Sequence, residues 1–253
     1  VEVEPGLSPV TINRKNKELL AALTAKSDFL SMVSHELRSP LVPILGYTEL
    51  LSDGSLGEVP ESFREPLKIL RSRAESLSRL IEDLLQITKL ERGMLRLELK
   101  PIQIKPWLDD LLVEYRDFDF GKPVEIVHEG EDFCIRADAS RLRQVIQNLI
   151  GNAIKYSDET VEIRIRSSAS NGYGHIEVID NGIGIPADKV GQIFEMFFQV
   201  ESLHTRHHEG AGLGLSIARE LVGLMNGSIV VESTEGEGTA FIVTLPLCSS
   251  VKE

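Results

Sequence analysis

Long apolar runs, cysteine and positive charge are all scarce in this sequence. No run of 18 or more apolar residues and no basic start followed by an apolar stretch occurs, so neither a transmembrane helix nor a signal peptide is predicted. Cys134 and Cys248 lack any metal or redox spacing, which favours reduced thiols and a cytoplasmic location. The net charge of −12 argues against nucleic acid or an anionic membrane as a direct partner. No G-x-x-x-x-G-K-[ST] sequence occurs, which excludes a P-loop.

The length and the changing sequence pattern predict two domains. A chain of 253 residues with 42% hydrophobic residues has enough apolar material for two cores. Residues 1–25 are interpreted as a tail and a coiled-coil lead-in helix, 26–94 as a helical domain and 95–248 as a mixed domain. Helical periodicity ends and strand-like alternation begins near residues 92–99.

The helical domain begins with a stretch, residues 27–45, whose apolar spacing alternates between three and four residues. This spacing predicts a helix with a packed seam. The seam positions are Leu30, Val33, Leu37, Pro40, Ile44, Tyr47 and Leu51. His35, Glu36 and Ser39 then lie on the outer face, where a solvated surface is the alternative to a chemical role. Pro40 is expected to kink the helix because it has no N–H to donate to Glu36.

A second helix is predicted at 61–92, after a polar loop at 52–60. It repeats the same spacing through Phe63, Leu67, Leu70, Ala74, Leu77, Ile81, Leu84 and Thr88. The two helices form an antiparallel hairpin. One apolar seam of a lone hairpin stays bare, so we expect two chains to pair into a four-helix bundle as a homodimer.

The mixed domain alternates predicted strands and helices. The strands are 124–127, 161–166, 175–179, 229–233 and 240–245, and the helices are 106–117, 140–156, 186–198 and 215–226. Helices covering one face of a sheet make an α+β two-layer sandwich.

Polar side chains recur along one stripe of the 140–156 helix. Asn148, Asn152 and Lys155 are spaced at i, i+4 and i+7, away from its apolar face. Amide oxygens ligate hard cations such as Mg²⁺, and a lysine attracts phosphates. The alternative is the solvated face of an ordinary helix.

Three glycine-rich segments follow. Asp180, Gly182 and Gly184 close a predicted strand, where a carboxylate can accept the exocyclic amine of adenine and glycines allow close approach. This segment also matches the loose dinucleotide fingerprint G-x-G-x-x-G/A, but no second βαβ unit follows. Residues 210–215 lead into a helix, whose N-terminus suits a triphosphate. The 236–239 turn is either a hairpin or a nucleotide contact.

Residues 200–209 lie between two of these segments and are polar, as expected of a mobile lid. His204, His207 and His208 lie within it, but no Cys or carboxylate completes a metal site there.

The order of these motifs resembles one family. The series SHELRSPL, NLIGNAIKY, DNGIGIP, IFEMFF, GAGLGLSIA and GEGTAF is similar to the H, N, G1, F, G2 and G3 boxes of the sensor histidine kinases of two-component systems. The resemblance spans roughly residues 25–246. It implies a dimerisation and phosphoacceptor hairpin followed by a Bergerat-fold ATP-binding domain.

The resemblance also implies roles for individual residues. His35 would be the phosphoacceptor and Glu36 its general base, and Asn152 would hold Mg²⁺, with Asn148 and Gln199 as further candidates. Asp180 would recognise adenine. The remaining implied ATP contacts are Lys155, Tyr156, Gly182, Gly184, Ile185, Gly210, Gly212, Leu213, Gly214, Leu215 and Thr239.

The implied partners are a second copy of the chain, the receiver domain of a response regulator and an upstream sensor region, with possible membrane tethering only in a longer protein. The sequence departs from the common family pattern at two positions. Ser39 stands where the family usually has Thr or Asn, a residue associated with dephosphorylating the regulator. Gln199 stands where many members have Arg. The alternative functions are an ATP-binding pseudokinase or scaffold, and another Bergerat-fold ATPase.

Overall fold

A computed structural model describes residues 9–116, 120–157, 160–200 and 211–248. The chain divides into two compact units, Val1–Met94 and Leu95–Glu253. No helix in the described part of the chain is long and apolar enough to cross a membrane.

The first unit is a hairpin of two long helices. Helix α1 spans Pro9–Ser52 and helix α2 spans Glu61–Glu91, the latter within one residue of its predicted bounds. Helix α1 includes part of the predicted 1–25 lead-in and continues through Pro40 and Pro43. In the connection, Asp53 Oδ1 accepts a hydrogen bond from the Ser55 backbone N–H at 2.8 Å, as in a polar turn.

The face of α1 that packs against α2 lies beside the predicted seam. Among the hairpin residues whose burial is described, the buried ones are Ser34, Leu41, Thr48, Ala74, Ile81, Ile87 and Thr88. Leu41, Ala74 and Ile81 form one apolar cluster, with Leu45 packed against it. Leu37 and Ile44, predicted in the seam, are exposed instead. A helix in a bundle has two apolar faces, and the spacing alone did not show which one the neighbouring helix covers.

The second unit contains a five-stranded mixed sheet and three helices. Its elements are β1 Lys100–Gln103, α3 Ile104–Arg116, β2 Val124–Gly130, β3 Cys134–Ala137, α4 Ala139–Lys155, β4 Val161–Ser170, β5 Tyr173–Asp180, α5 Gly214–Leu224, β6 Ser228–Thr234 and β7 Gly238–Pro246. The sheet order is β2-β4-β5-β7-β6, with β2 parallel to β4 and the other pairs antiparallel. Strands β1 and β3 form a separate antiparallel pair.

Burial alternates along the central strands because helices cover one face of the sheet. On β4 the side chains of Val161, Ile163 and Ile165 are buried, whereas the residues between them are exposed. Helices α4 and α5 pack on this face through residues such as Leu149 and Ile217, which are fully buried. The predicted fold class, a helical hairpin followed by an α+β two-layer sandwich, is confirmed.

Helix α4 begins at a well-bonded aspartate. Asp138 Oδ1 accepts hydrogen bonds from the backbone N–H of Ser140 at 3.0 Å and of Arg141 at 3.2 Å, which satisfies two N–H groups of the first turn. Its Oδ2 accepts the backbone N–H of Glu98 at 2.9 Å. One carboxylate therefore joins the start of α4 to the segment that enters this unit.

Two predictions about this unit are wrong. Residues 186–198, expected to be helical, form successive turns in which backbone hydrogen bonds span three residues, as from Lys189 N to Pro186 O.

Cys134 and Cys248, expected to be reduced thiols, form a disulfide. Their Cα atoms are 5.3 Å apart because the Cys248 N–H donates to the Cys134 carbonyl, a proximity that 114 residues of intervening sequence conceal. Strands β1 and β3 were not predicted.

Candidate active site

The first part of the candidate site is the outer surface of α1. The side chains of His35 and Glu36 are 80% and 77% exposed, and His35 Nδ1 lies 3.7 Å from Glu36 Oε1. Ser39, one turn further along, is also exposed. The neighbouring Ser34 is fully buried, so the chain changes from packing face to solvent within one residue. The arrangement offers an imidazole and a carboxylate to an incoming reactant.

The second part is a pocket in the α+β unit. It is lined by Asn152, Tyr156, Asp180, Ile183, Gly184, Ile185, Ile193, Phe198, Gln199, Val200, Leu215, Thr239 and Phe241. Eight of these were named from the sequence as ATP contacts or metal candidates. The other five were not named, and all of them are aliphatic or aromatic, which suits a flat heterocycle: Ile183, Ile193, Phe198, Val200 and Phe241. The IFEMFF motif pointed to Ile193 and Phe198, although their place in the pocket was not foreseen.

Asp180 is held rigidly at the end of β5. Its Oδ1 accepts the backbone N–H of Gly182 at 2.8 Å and of Thr239 at 3.2 Å. Among the described residues, none donates to Oδ2, which therefore keeps its accepting capacity. Burial raises the pKa of this carboxyl, and the two donors oppose the shift without cancelling it. Such a carboxylate is suited to accepting a hydrogen bond from a bound ring.

The loop after Asp180 requires glycine at one position for two reasons. Gly184 has φ +68°, a conformation that side chains rarely adopt. A Cβ atom placed there would lie 2.0 Å from the carbonyl oxygen of Thr234. The loop and the β6–β7 turn are thus in backbone contact, and this contact forms one edge of the pocket.

The polar stripe of α4 divides into two parts. Asn152 and Tyr156 line the pocket. Asn148 donates from Nδ2 to the Gly214 carbonyl at 3.0 Å and is not a lining residue. Lys155 Nζ donates to Tyr156 Oη at 2.9 Å and lies 4.6 Å from the centre of that ring. The structure therefore places Asn148 as a link to α5 and Lys155 as a neighbour of the pocket wall.

The N-terminus of α5 adjoins the pocket through Leu215. No side chain among the described residues caps this helix, so within that part of the chain its first backbone N–H groups remain available to an anion. Gly212 has φ +70° and packs against the backbone of Phe198, while Leu213 is buried. Gly210, which was also named from the sequence, lies outside the described residues.

The predicted lid was 200–209. All of it except Val200, including its three histidines, lies outside the described part of the chain as well. No cluster of His, Cys, Asp and Glu that could hold a metal ion is found among the residues that are described.

Two families match the chain. Residues 25–93 match the His Kinase A (phospho-acceptor) domain, and residues 137–249 match the histidine kinase-, DNA gyrase B- and HSP90-like ATPases. The fold and the site thus define a class of protein that joins a phosphoacceptor hairpin to a Bergerat ATP-binding domain.

Individual relatives agree with this assignment. The chain is 34% identical to the autoinducer 2 sensor kinase/phosphatase LuxQ of Vibrio parahaemolyticus, over 93% of the chain and 28% of the relative. It is 35% identical to the sensor protein kinase WalK of Staphylococcus saprophyticus, over 87% and 36%. The chain belongs to the sensor histidine kinases of two-component systems, as its motifs predicted. It spans only about a third of the length of these curated relatives.

Solved structures show the same relationship. Full-length ShkA in complex with AMPPNP is similar with a TM-score of 0.73 and 30% identity, over 88% of the chain and 46% of ShkA. The catalytic domain of the histidine kinase ThkA is similar with a TM-score of 0.52 and 28% identity, over 60% and 97%. The α+β unit is therefore an ATP-binding domain of this family.

Proposed function

We propose that this chain is the kinase core of a longer sensor: it phosphorylates His35 with ATP and passes the phosphoryl group to an aspartate of a response regulator. The observation that carries the proposal is the exposed His35–Glu36 pair on α1, in a chain whose second unit holds a pocket lined by Asp180. Neither feature alone distinguishes a kinase from a scaffold or from another ATPase.

The proposed chemistry follows from the two side chains. Glu36 accepts the proton at Nδ1, so the lone pair of Nε2 attacks the γ-phosphorus of ATP. A nitrogen–phosphorus bond forms as the bond to the ADP oxygen breaks, and the Nδ1 proton passes to Glu36. The 3.7 Å separation shortens to a hydrogen bond in the reacting complex, as catalytic contacts commonly do. High exposure leaves His35 accessible to both ATP and the regulator.

The pocket residues have distinct roles in this proposal. Asp180 accepts the adenine amine, the apolar walls contact the ring, and the N-terminus of α5 faces the phosphates. Asn152 lines the pocket, and its side chain makes no hydrogen bond to another described residue, so its amide oxygen fits a hard cation. Asn152 and Gln199 would hold Mg²⁺, which would neutralise charge on the phosphates.

A homodimer is the assembly that we propose for the hairpin. Several large apolar side chains of α1 and α2 remain exposed in one chain: Leu37, Ile44, Tyr47, Phe63, Ile69, Leu70, Leu77 and Leu80. They occur on both helices, as expected if a second hairpin covers them in a four-helix bundle. The remaining proposed partners are a receiver domain and an upstream sensor region.

Ser39 is the candidate residue for dephosphorylating the regulator. It is exposed four residues after His35, and its hydroxyl can orient a water molecule. LuxQ is named a kinase/phosphatase, so both activities occur in a similar protein.

Incubation with Mg²⁺ and γ-labelled ATP tests the proposal directly. We expect acid-labile, base-stable label on the wild type and none on His35→Gln. His175→Gln is the matched control, because His175 hydrogen-bonds to Ser170 and Thr244 within the sheet and should not affect labelling. ATP binding without label would favour the pseudokinase, and label surviving in His35→Gln would assign the phosphoacceptor elsewhere.

A further inference from the structure

We propose that Ser233 is a specificity-determining positioning residue: its hydroxyl fixes the two backbone segments that orient Asp180 and thereby selects nucleotides with an exocyclic amine. The inference deepens the proposed ATP site and rests on it. Ser233 is a half-buried residue on β6 and does not line the pocket, so its effect is exerted through other groups.

The Ser233 hydroxyl joins two separate segments. Its Oγ accepts the backbone N–H of Ile185 at 2.9 Å and donates to the carbonyl of Gly238 at 2.8 Å. It also lies 2.9 Å from Thr239 Oγ1. A hydroxyl has one hydrogen and two lone pairs. With its hydrogen on Gly238 and its lone pairs facing Ile185 and Thr239, its bonding capacity is filled.

These two segments are the ones that hold Asp180. The carboxylate Oδ1 accepts from Gly182, three residues before Ile185, and from Thr239, the residue after Gly238. The angle of the carboxylate therefore depends on how the 182–185 loop lies against the start of β7. Ser233 is the side chain that sets this relation, because it bonds to both segments at once.

Removing the hydroxyl should leave the fold intact. The loop and the β6–β7 turn remain joined by the backbone bond from Gly236 N to Ile183 O, at 2.8 Å. Gly184 also stays in close contact with the Thr234 carbonyl. Ser233→Ala thus loosens the orientation of the Asp180 carboxylate without opening the pocket.

The expected consequence is specific to the exocyclic amine. A nucleotide that donates from this amine to Asp180 loses binding when the carboxylate is less well oriented, whereas one without the amine does not. We expect Ser233→Ala to weaken ATP binding about tenfold, the effect of one hydrogen bond. Binding of purine riboside triphosphate, which lacks only the amine, should change less than about twofold.

The experiment measures dissociation constants of ATP and purine riboside triphosphate for the full chain by calorimetry. The variants are Ser233→Ala, Ser233→Thr, Asp180→Asn and the double variant of Ser233→Ala with Asp180→Asn. Ser233→Thr keeps the hydroxyl and should restore the preference for ATP. In the Asp180→Asn background, Ser233→Ala should have no further effect, because the carboxylate through which Ser233 acts is gone.

Two results would overturn the inference. Equal weakening of both nucleotides would mean that Ser233 supports the pocket in general. Additive losses in the double variant would mean that it acts independently of Asp180. If the wild type bound no ATP, the proposed nucleotide site itself would be refuted, and this outcome is distinct from the other two.

Discussion

Substituting Asp180 by Asn separates the binding role of this residue from its cost to stability. The amide has the same shape, and its Oδ1 can keep both hydrogen bonds, from Gly182 and Thr239. An NH₂ group replaces Oδ2 and presents a donor where the adenine amine also presents one. Because a hydrogen bond to a charged group contributes about 1.5–3 kcal/mol, we expect ATP binding to weaken about 10- to 150-fold.

Stability should change in the opposite direction. Burial raises the pKa of Asp180 above its ordinary value of 3.8, so the folded state disfavours the ionised form. Above the folded-state pKa this penalty is present in full, and below the unfolded-state pKa both states are protonated and it vanishes. Asparagine never ionises. At pH 7 we expect the variant to be at least as stable as the wild type, with the difference closing towards pH 4.

Urea unfolding followed by tryptophan fluorescence measures this stability. Trp107 is the only tryptophan and lies on α3, so its signal reports on the ATP-binding unit. Asp188→Asn is the matched control, since among the described residues this exposed carboxylate makes only a 3.6 Å contact with Lys189. Undiminished ATP binding by Asp180→Asn, or a clearly lower unfolding midpoint, would refute the reasoning.

Three further predictions concern stability and assembly. Asp138→Asn should destabilise the ATP-binding unit by about 1–3 kcal/mol, because a single amide oxygen cannot serve both sets of donors. Burial raises the pKa of the Asp138 carboxyl, but its hydrogen-bond donors have the larger combined effect, so the pKa in the folded state lies below 3.8. The carboxylate's contribution to stability is therefore complete above pH 3.8 and is lost below that value. The difference in urea midpoint between the variant and the wild type should disappear over the same range. Cys134→Ser should lower the free energy of unfolding by about 3–5 kcal/mol, because the disulfide joins residues 114 positions apart in the sequence. Identical unfolding curves of the wild type with and without reductant, followed by Trp107 fluorescence, would contradict this. Leu77→Arg, at a side chain 43% exposed in one chain, should yield folded monomers by sedimentation, whereas Leu56→Arg in the connecting loop should not.

The sequence predicted those features of the fold that depend on local periodicity. The three–four spacing located α2, and the alternation of β4 continued beyond its predicted end. The helix prediction for residues 186–198 was wrong because the buried Ile193 and Phe194 are compatible with a helix and with a series of turns. Tertiary contacts decided between the two. The prediction of reduced thiols was wrong because nothing in the local sequence indicates that Cys248 lies beside β3.

The candidate site was predictable only in part, for a related reason. Asp180 and Asn152 were named from the sequence because their residue types suit an amine and a cation, and both line the pocket. Asn148 shares the stripe of Asn152 but bonds to Gly214, a contact that needs the packing of α5 on α4. The sequence did not indicate a role for Ser233, because serine is common on strands. Its role depends on three hydrogen-bond partners that only the structure shows.

The two prolines inside helix α1 make its stiffness uneven along its length. Its 44 residues correspond to a helix about 66 Å long, at a rise of 1.5 Å per residue. Pro40 and Pro43 each remove one hydrogen bond from the turn just beyond His35, so the helix is softest there. Bending or rotation of α1 is therefore absorbed more easily at this turn than elsewhere along the helix.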